Sequence, residues 1–183
     1  RMAPTASHPR PTLLIIGGAE DRTGRAGILK RFVRLAGGRK AQIVIIPTAS
    51  SFQDEVVSAY AEVFTRIGIA GWTVVNPGSR TEAGDPLAVE TIDAATGIFM
   101  SGGSQLRLSQ IFAGTPLGEA IHRAHRRGAV IGGTSAGASI MSEFMIALGD
   151  EGVTPRQRTS QMSQGLGLLE GVVIDQHFAQ RQR

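Results

Sequence analysis

Ser135 stands between two glycines in the pattern Gly133-x-Ser135-x-Gly137, directly after an apolar run. Two readings of this pattern are open. The glycines can serve only a tight turn from a strand into a helix, or they can allow a crowded turn that presents the serine hydroxyl as a nucleophile. In the second reading the amide of Ala136 lies at a helix N-terminus, where it can stabilise a developing oxyanion. The pattern makes Ser135 a candidate nucleophile.

A serine nucleophile needs a general base, and histidine is the usual one. The chain has four histidines. His8 lies near the N-terminus, and His122 and His125 fall in an Arg-rich helical segment where we expect them to be solvated. His177 follows the apolar run GVVID and is expected at the end of a strand. A lone histidine is more often structural than catalytic, but His177 is the credible partner for Ser135.

The third member of such a triad is a carboxylate that orients the imidazole. Asp150 and Glu151 lie between Ser135 and His177, in a polar stretch that can equally be a solvated loop tip. Asp175 is an alternative, although its position two residues before His177 can direct it elsewhere. The sequence leaves the choice of the acid open.

A second glycine pair, Gly102 and Gly103, follows another apolar run and can supply a further oxyanion donor. Gln105, just after this pair, is a polar group that can bind a substrate carboxylate. Arg181 and Arg183 at the end of the chain can do the same, although terminal arginines are usually just solvated.

Short apolar runs alternate with longer amphipathic segments along the chain, which predicts an α/β fold with a mostly parallel central sheet between helical layers. The segment 115–128 reads as a helix with a Thr-Pro start and a Gly end. Residues 76–86 and 149–167 read as polar loops. The expected strands fall in residues 11–18, 41–50, 72–78, 97–103 and 129–135. Ligands collect at the carboxyl ends of strands in such sheets, which is where the candidate residues fall.

Composition narrows the classes of function. The 183 residues suit a single domain spanning 1–183, with a flexible N-terminus over residues 1–10. The chain has 19 Lys and Arg against 15 Asp and Glu, with no aromatic-interleaved basic stripe, which argues against nucleic-acid binding. No apolar run is long enough to span a membrane. The absence of cysteine excludes disulfides and a thiol nucleophile and fits a cytoplasmic enzyme.

Four motifs together resemble the cyanophycinase family of serine peptidases, which is related to aspartyl dipeptidase. They are IIGGAEDR near the start, FMSGGSQLRL, GGTSAGAS and the final IDQHFAQRQR. The resemblance runs in order from about Thr12 to Arg183. It implies a three-layer α/β sandwich like that of flavodoxin and the class I glutamine amidotransferases, a Ser–His–acid triad, and no metal or organic cofactor. The expected reaction is cleavage of the polyaspartate backbone of cyanophycin to β-Asp-Arg dipeptides.

By motif, the resemblance makes Ser135 the nucleophile and His177 the general base, with the amides of Gly103 and Ala136 as oxyanion donors. It places the acid at Asp150 or at the neighbouring Glu151. The positions that match the substrate pocket are Gln105, Asp175, Gln176, Arg181 and Arg183.

Other readings remain open. The same machinery can act on small aspartyl or isoaspartyl peptides. An α/β-hydrolase esterase is less consistent with the short segment between Ser135 and His177, and a glutamine amidotransferase would need a cysteine. Relatives of this kind continue past the final RQR, so we expect this chain to lack a C-terminal part. A catalytically inactive fragment is therefore a further alternative. The resemblance also suggests a homodimer.

Overall fold

A computed structural model describes residues 10–148 and 161–177 of the chain. Its centre is a five-stranded parallel sheet in the order β1-β5-β4-β2-β3. These strands are β1 (Thr12–Ile16), β2 (Gln42–Ile46), β3 (Gly71–Val74), β4 (Gly97–Met100) and β5 (Val130–Thr134). The parallel sheet that the apolar runs predict is therefore confirmed, with each strand inside or within one residue of its predicted segment.

Six helices connect or follow these strands in the described ranges. They are α1 (Gly27–Leu35), α2 (Gln53–Ile67), α3 (Pro86–Ala94), α4 (Gln105–Phe112), α5 (Pro116–Arg127) and the single-turn α6 (Ala136–Ser139). The prediction for 115–128 is confirmed, because the Thr115 side chain caps the first turn of α5 and Gly128 closes the helix at φ 100°. None of the helices in these ranges is long and apolar enough to cross a membrane.

Alternate side chains of the central strands point into two separate hydrophobic cores. Phe99 and Ile45 pack with α1 and α2 on one face of the sheet, whereas Ile98 and Ile46 pack with α3, α4 and α5 on the other. Strands β2 and β4 are buried on both faces because both faces carry helices, which is why they read as unbroken apolar runs. The α/β fold predicted from the sequence is confirmed.

Three local predictions are wrong. The polar stretch 149–167 is not all loop, because β7 (Gln161–Gln164) pairs antiparallel with β6 (Phe144–Leu148). The run before His177 forms no strand; its Ile174 is held instead by the hydroxyls of Ser139 and Ser142.

The third concerns the two helical histidines, which are not simply solvated. The His122 ring contacts the Leu166 carbonyl, and His125 is partly buried. Burial, together with the nearby His122 and Arg126, lowers the pKa of His125.

Candidate active site

The site lies where three neighbouring strands end. Strand β5 lies between β1 and β4, so that the residues that follow β1, β5 and β4 meet at one edge of the sheet. Ser135 follows β5, Gly102 and Gly103 come shortly after β4, and Gly17 and Gly18 follow β1. Parallel pairing thus gathers residues that are far apart in sequence around one serine.

Ser135 has an unusual backbone. Its φ of 53° and ψ of −112° lie outside the regions that a residue with a side chain normally occupies. The turn has almost no space around it, because a Cβ at Gly133 would lie 2.2 Å from the Gly137 carbonyl oxygen and a Cβ at Gly137 would lie 2.2 Å from that of Met100. Only glycine fits at either position, and β5 can therefore pass directly into α6 with the serine at the corner.

His177 is placed against this serine. Its Nε2 lies 2.9 Å from Ser135 Oγ, within hydrogen-bonding distance. Its backbone N–H donates to the Gly17 carbonyl at 3.0 Å, which ties the segment to the end of β1. The imidazole packs so closely on Gly18 that an added Cβ there would lie 2.2 Å from Cε1. The imidazole is therefore in close contact with both the Gly18 backbone and the Ser135 hydroxyl.

Gln176 also contacts the serine. Its side chain is buried, and the Ser135 hydroxyl donates to Gln176 Oε1 at 2.5 Å. A hydroxyl has one proton, so while it donates to Gln176 it cannot also donate to His177. Turning the Gln176 amide by half a turn would place its NH₂ group at Ser135 Oγ and free the hydroxyl proton for the imidazole. The orientation of the Gln176 amide can thus determine whether the Ser135 hydroxyl donates to Gln176 or to His177.

A pocket of about 250 Å³ opens in front of Ser135 and His177. One wall carries Glu20, whose carboxylate accepts a hydrogen bond from the Thr134 hydroxyl at 2.6 Å and another from the Tyr60 hydroxyl. Burial and the nearby Glu20 carboxylate raise the pKa of Tyr60 above its usual range, so that its hydroxyl stays protonated and keeps donating. The pocket thus holds a fixed carboxylate that is hydrogen-bonded to Thr134, the residue directly before the candidate nucleophile.

Sequence reasoning did not single out Glu20. Glu20 lies in the segment GGAEDR, which follows β1, and a place after the carboxyl end of a parallel strand is the sequence signal that could have pointed to this residue.

Comparison with known proteins decides the family. The model of peptidase family S51 matches residues 13–183. The chain belongs to peptidase family S51. The resemblance on the four sequence motifs is therefore confirmed, and the family supports a serine peptidase.

Among its curated relatives, the chain is 41% identical to a cyanophycinase of Geminocystis herdmanii (strain PCC 6308) over 175 residues, which cover 95% of the chain and 64% of that relative. It is 37% identical to a cyanophycinase of Nostoc sp. (strain PCC 7120 / SAG 25.82 / UTEX 2576) over 180 residues, 98% of the chain and 60% of the relative. The chain thus spans less than two thirds of the length of these relatives.

Two solved structures share the S51 chain's fold. A peptidase from an acI-B1 Actinobacterium superimposes with a TM-score of 0.78 at 26% identity, covering 94% of this chain and 70% of that one. A putative peptidase E protein from Listeria monocytogenes EGD-e gives a TM-score of 0.58 at 18% identity, covering 86% and 74%, and supports the fold alone.

The remaining residues predicted for this S51 site have varied places. Gly103 lines the pocket, and Ala136 is buried at the start of α6. Gln105 begins α4, and its amide donates to the Ile146 carbonyl at 3.0 Å, so it is engaged with β6. Asp175 is exposed.

Four residues of the predicted site lie outside the described residues: Asp150, Glu151, Arg181 and Arg183. Within the described ranges, no group of three or more His, Asp or Glu side chains is arranged to hold a metal ion.

Proposed function

We propose that this chain carries the hydrolytic site of a serine peptidase that cleaves the polyaspartate backbone of cyanophycin and releases β-Asp-Arg dipeptides. The observation that carries the proposal is the 2.9 Å approach of His177 Nε2 to Ser135 Oγ. It occurs on a strained turn of the kind called a nucleophile elbow, in a family S51 member whose curated relatives include cyanophycinases.

The proposed reaction follows the usual course of serine acyl transfer. His177 takes the Ser135 hydroxyl proton as Oγ attacks the scissile carbonyl carbon, and a tetrahedral intermediate forms. The amides of Gly103 and Ala136 are proposed to bind its oxyanion. The C–N bond then breaks, and His177 passes the proton to the leaving amine. Water, deprotonated by the same imidazole, hydrolyses the acyl-enzyme and regenerates Ser135.

The acid that orients His177 is proposed to be Asp150 or Glu151, on the resemblance alone. Gln105, Asp175, Gln176, Arg181 and Arg183 are proposed to bind substrate on the same ground. For Gln176 the direct contact with Ser135 supports a place in the site.

The test is release of β-Asp-Arg from purified cyanophycin by the parent chain and by Ser135→Ala. Because triad members act as a unit, we expect Ser135→Ala and His177→Ala each to lose activity by about 10⁴-fold or more. Ser58→Ala, an exposed serine of α2, is the matched control and should keep parental activity. Equal release by parent and Ser135→Ala would contradict the assignment of the nucleophile.

Two further assays separate the alternatives. Hydrolysis of small aspartyl or isoaspartyl dipeptides without action on cyanophycin would favour a dipeptidase. Labelling of the parent, but not of Ser135→Ala, by an organophosphorus serine probe would show a reactive nucleophile whatever the substrate. A chain that neither labels nor hydrolyses would be the inactive fragment considered above. Cytoplasmic location, a homodimer, and a single domain lacking a C-terminal part stay predictions.

A further inference from the structure

The Glu20 carboxylate is fixed by neutral groups from two other parts of the fold. The Thr134 hydroxyl at the end of β5 donates to Oε2 at 2.6 Å, and the Tyr60 hydroxyl on α2 donates to Oε1. Each carboxylate oxygen can accept about two hydrogen bonds, so each has capacity for another donor. The group is thus held in one orientation without being saturated.

Its charge has no ion-pair partner within 4.0 Å among the described residues, where the one salt bridge joins Asp93 and Arg123. Among the residues that line this pocket, Arg22 carries the one Lys or Arg side chain, and its guanidinium lies 5.6 Å from the centre of the Tyr60 ring. Glu20 therefore presents a negative charge that Arg22 does not pair, in the pocket that holds Ser135 and His177. A fixed, partly desolvated carboxylate favours a cationic ligand.

We propose that Glu20 determines specificity by binding the cationic group of the substrate, the guanidinium of an arginyl unit beside the scissile bond. The identity of that substrate rests on the proposed function. A planar guanidinium can donate two parallel hydrogen bonds to one carboxylate, and the hydroxyls of Tyr60 and Thr134 hold that carboxylate ready. Because Thr134 precedes Ser135, the bound cation is positioned relative to the nucleophile.

The experiment compares two β-linked aspartyl substrates that differ in charge, one carrying arginine and the other carrying citrulline, its uncharged isostere. Glu20→Gln keeps the size of the side chain and an acceptor for a hydroxyl but removes the charge. We expect this variant to lower kcat/KM for the arginine substrate by about 10- to 100-fold and to leave the citrulline substrate within about twofold. Glu62→Gln, an exposed glutamate on α2, is the control for loss of one negative charge.

Other results would overturn the proposal. Equal losses on both substrates would show that Glu20 only positions the loop and Thr134. No loss on either, or a charge-selective loss in Asp175→Asn but not in Glu20→Gln, would place cation recognition elsewhere.

A binding measurement keeps the inference separate from the proposed function. In the Ser135→Ala background, calorimetry of β-Asp-Arg against β-Asp-citrulline should show preference for arginine, and adding Glu20→Gln should abolish it. If the parent hydrolyses neither substrate, the proposed function fails. The binding preference measured by calorimetry would still test the role of Glu20. Equal binding of the two dipeptides to Ser135→Ala would overturn the role of Glu20.

Discussion

Replacing Gly18 by alanine tests whether the close packing of Gly18 against His177 sets the position of this proposed general base. Gly18 has a φ of 128°, and a Cβ built there lies 2.2 Å from Cε1, 2.6 Å from Nε2 and 2.8 Å from Nδ1 of the His177 ring. Ordinary contacts begin at 3.4 Å, so the ring or the backbone has to move by about 1.2 Å. The 2.9 Å contact between His177 and Ser135 cannot survive such a shift unchanged.

A displacement of about 1 Å at a reacting group can cost about 10²-fold in rate, and we expect Gly18→Ala to lower kcat on the proposed substrate, cyanophycin, by at least this factor. The positive φ adds about 1–2 kcal/mol of strain, which should lower the free energy of unfolding. The KM should change much less than kcat, because the shift falls on the proton-transfer step rather than on binding.

The neighbouring glycine provides the control. A Cβ at Gly17 has nothing within 4 Å, and its φ is not positive, so Gly17→Ala should keep nearly full activity. Both variants would be measured for β-Asp-Arg release and for urea unfolding, so that inactive folded protein is distinguished from unfolded protein. Full activity in a folded Gly18→Ala would refute the view that close packing of this ring positions the base.

Two predictions concern stability. Phe99 is fully buried, and the ring centroids of Phe32, Tyr60 and Phe64 lie within 5.6 Å of its own. Phe99→Ala should therefore lower the free energy of unfolding, measured in urea, by about 3–5 kcal/mol. Phe52→Ala is the control because Phe52 is 70% exposed and should lose much less, and equal losses in the two variants would contradict this account of the core. The lowered pKa of His125 means that the unfolded chain binds a proton more readily, so stability should fall as the pH falls below 6.5. The difference in the free energy of unfolding above and below that pH, measured in urea, should be smaller in His125→Gln than in the parent. An unchanged difference would show that other groups cause the pH dependence.

The sequence predicts the central sheet well because its strands are apolar on both faces. Residues such as Val44 and Ile45 in β2 point into different cores, so neither needs to be polar. The pairing of β6 with β7 could not be predicted, because the Gln161–Gln164 strand is mostly polar and lies outside that sheet. The run before His177 was wrongly predicted to be a strand because it is apolar. The backbone of its Ile174 is hydrogen-bonded to side-chain hydroxyls and not to a neighbouring strand.

Within the site, the sequence pointed to Ser135 and His177 by residue type and position, and the structure brings them together. It could not indicate their distance from each other, because that depends on which strands are neighbours. The place of Glu20 after a strand was visible in the sequence, but its contacts with Tyr60 and Thr134 span 40 and 114 residues, and no local pattern indicates such contacts. Gly133 and Gly137 are visible in the sequence, but the sequence does not show the nearby carbonyl groups that leave no room for a side chain at either position.

The backbones of Ser135 and His177 share a property with a consequence for evolution. Both have a φ of 53°, where a residue with a side chain costs of the order of 1–3 kcal/mol, and glycine costs least. A lineage freed from selection for hydrolysis would gain stability by drifting to glycine at either position, and an ancestor that kept serine and histidine would have had to retain that cost. If Ser135 and His177 have the proposed catalytic roles, glycine at either position in a descendant would indicate that selection for hydrolysis has been lost.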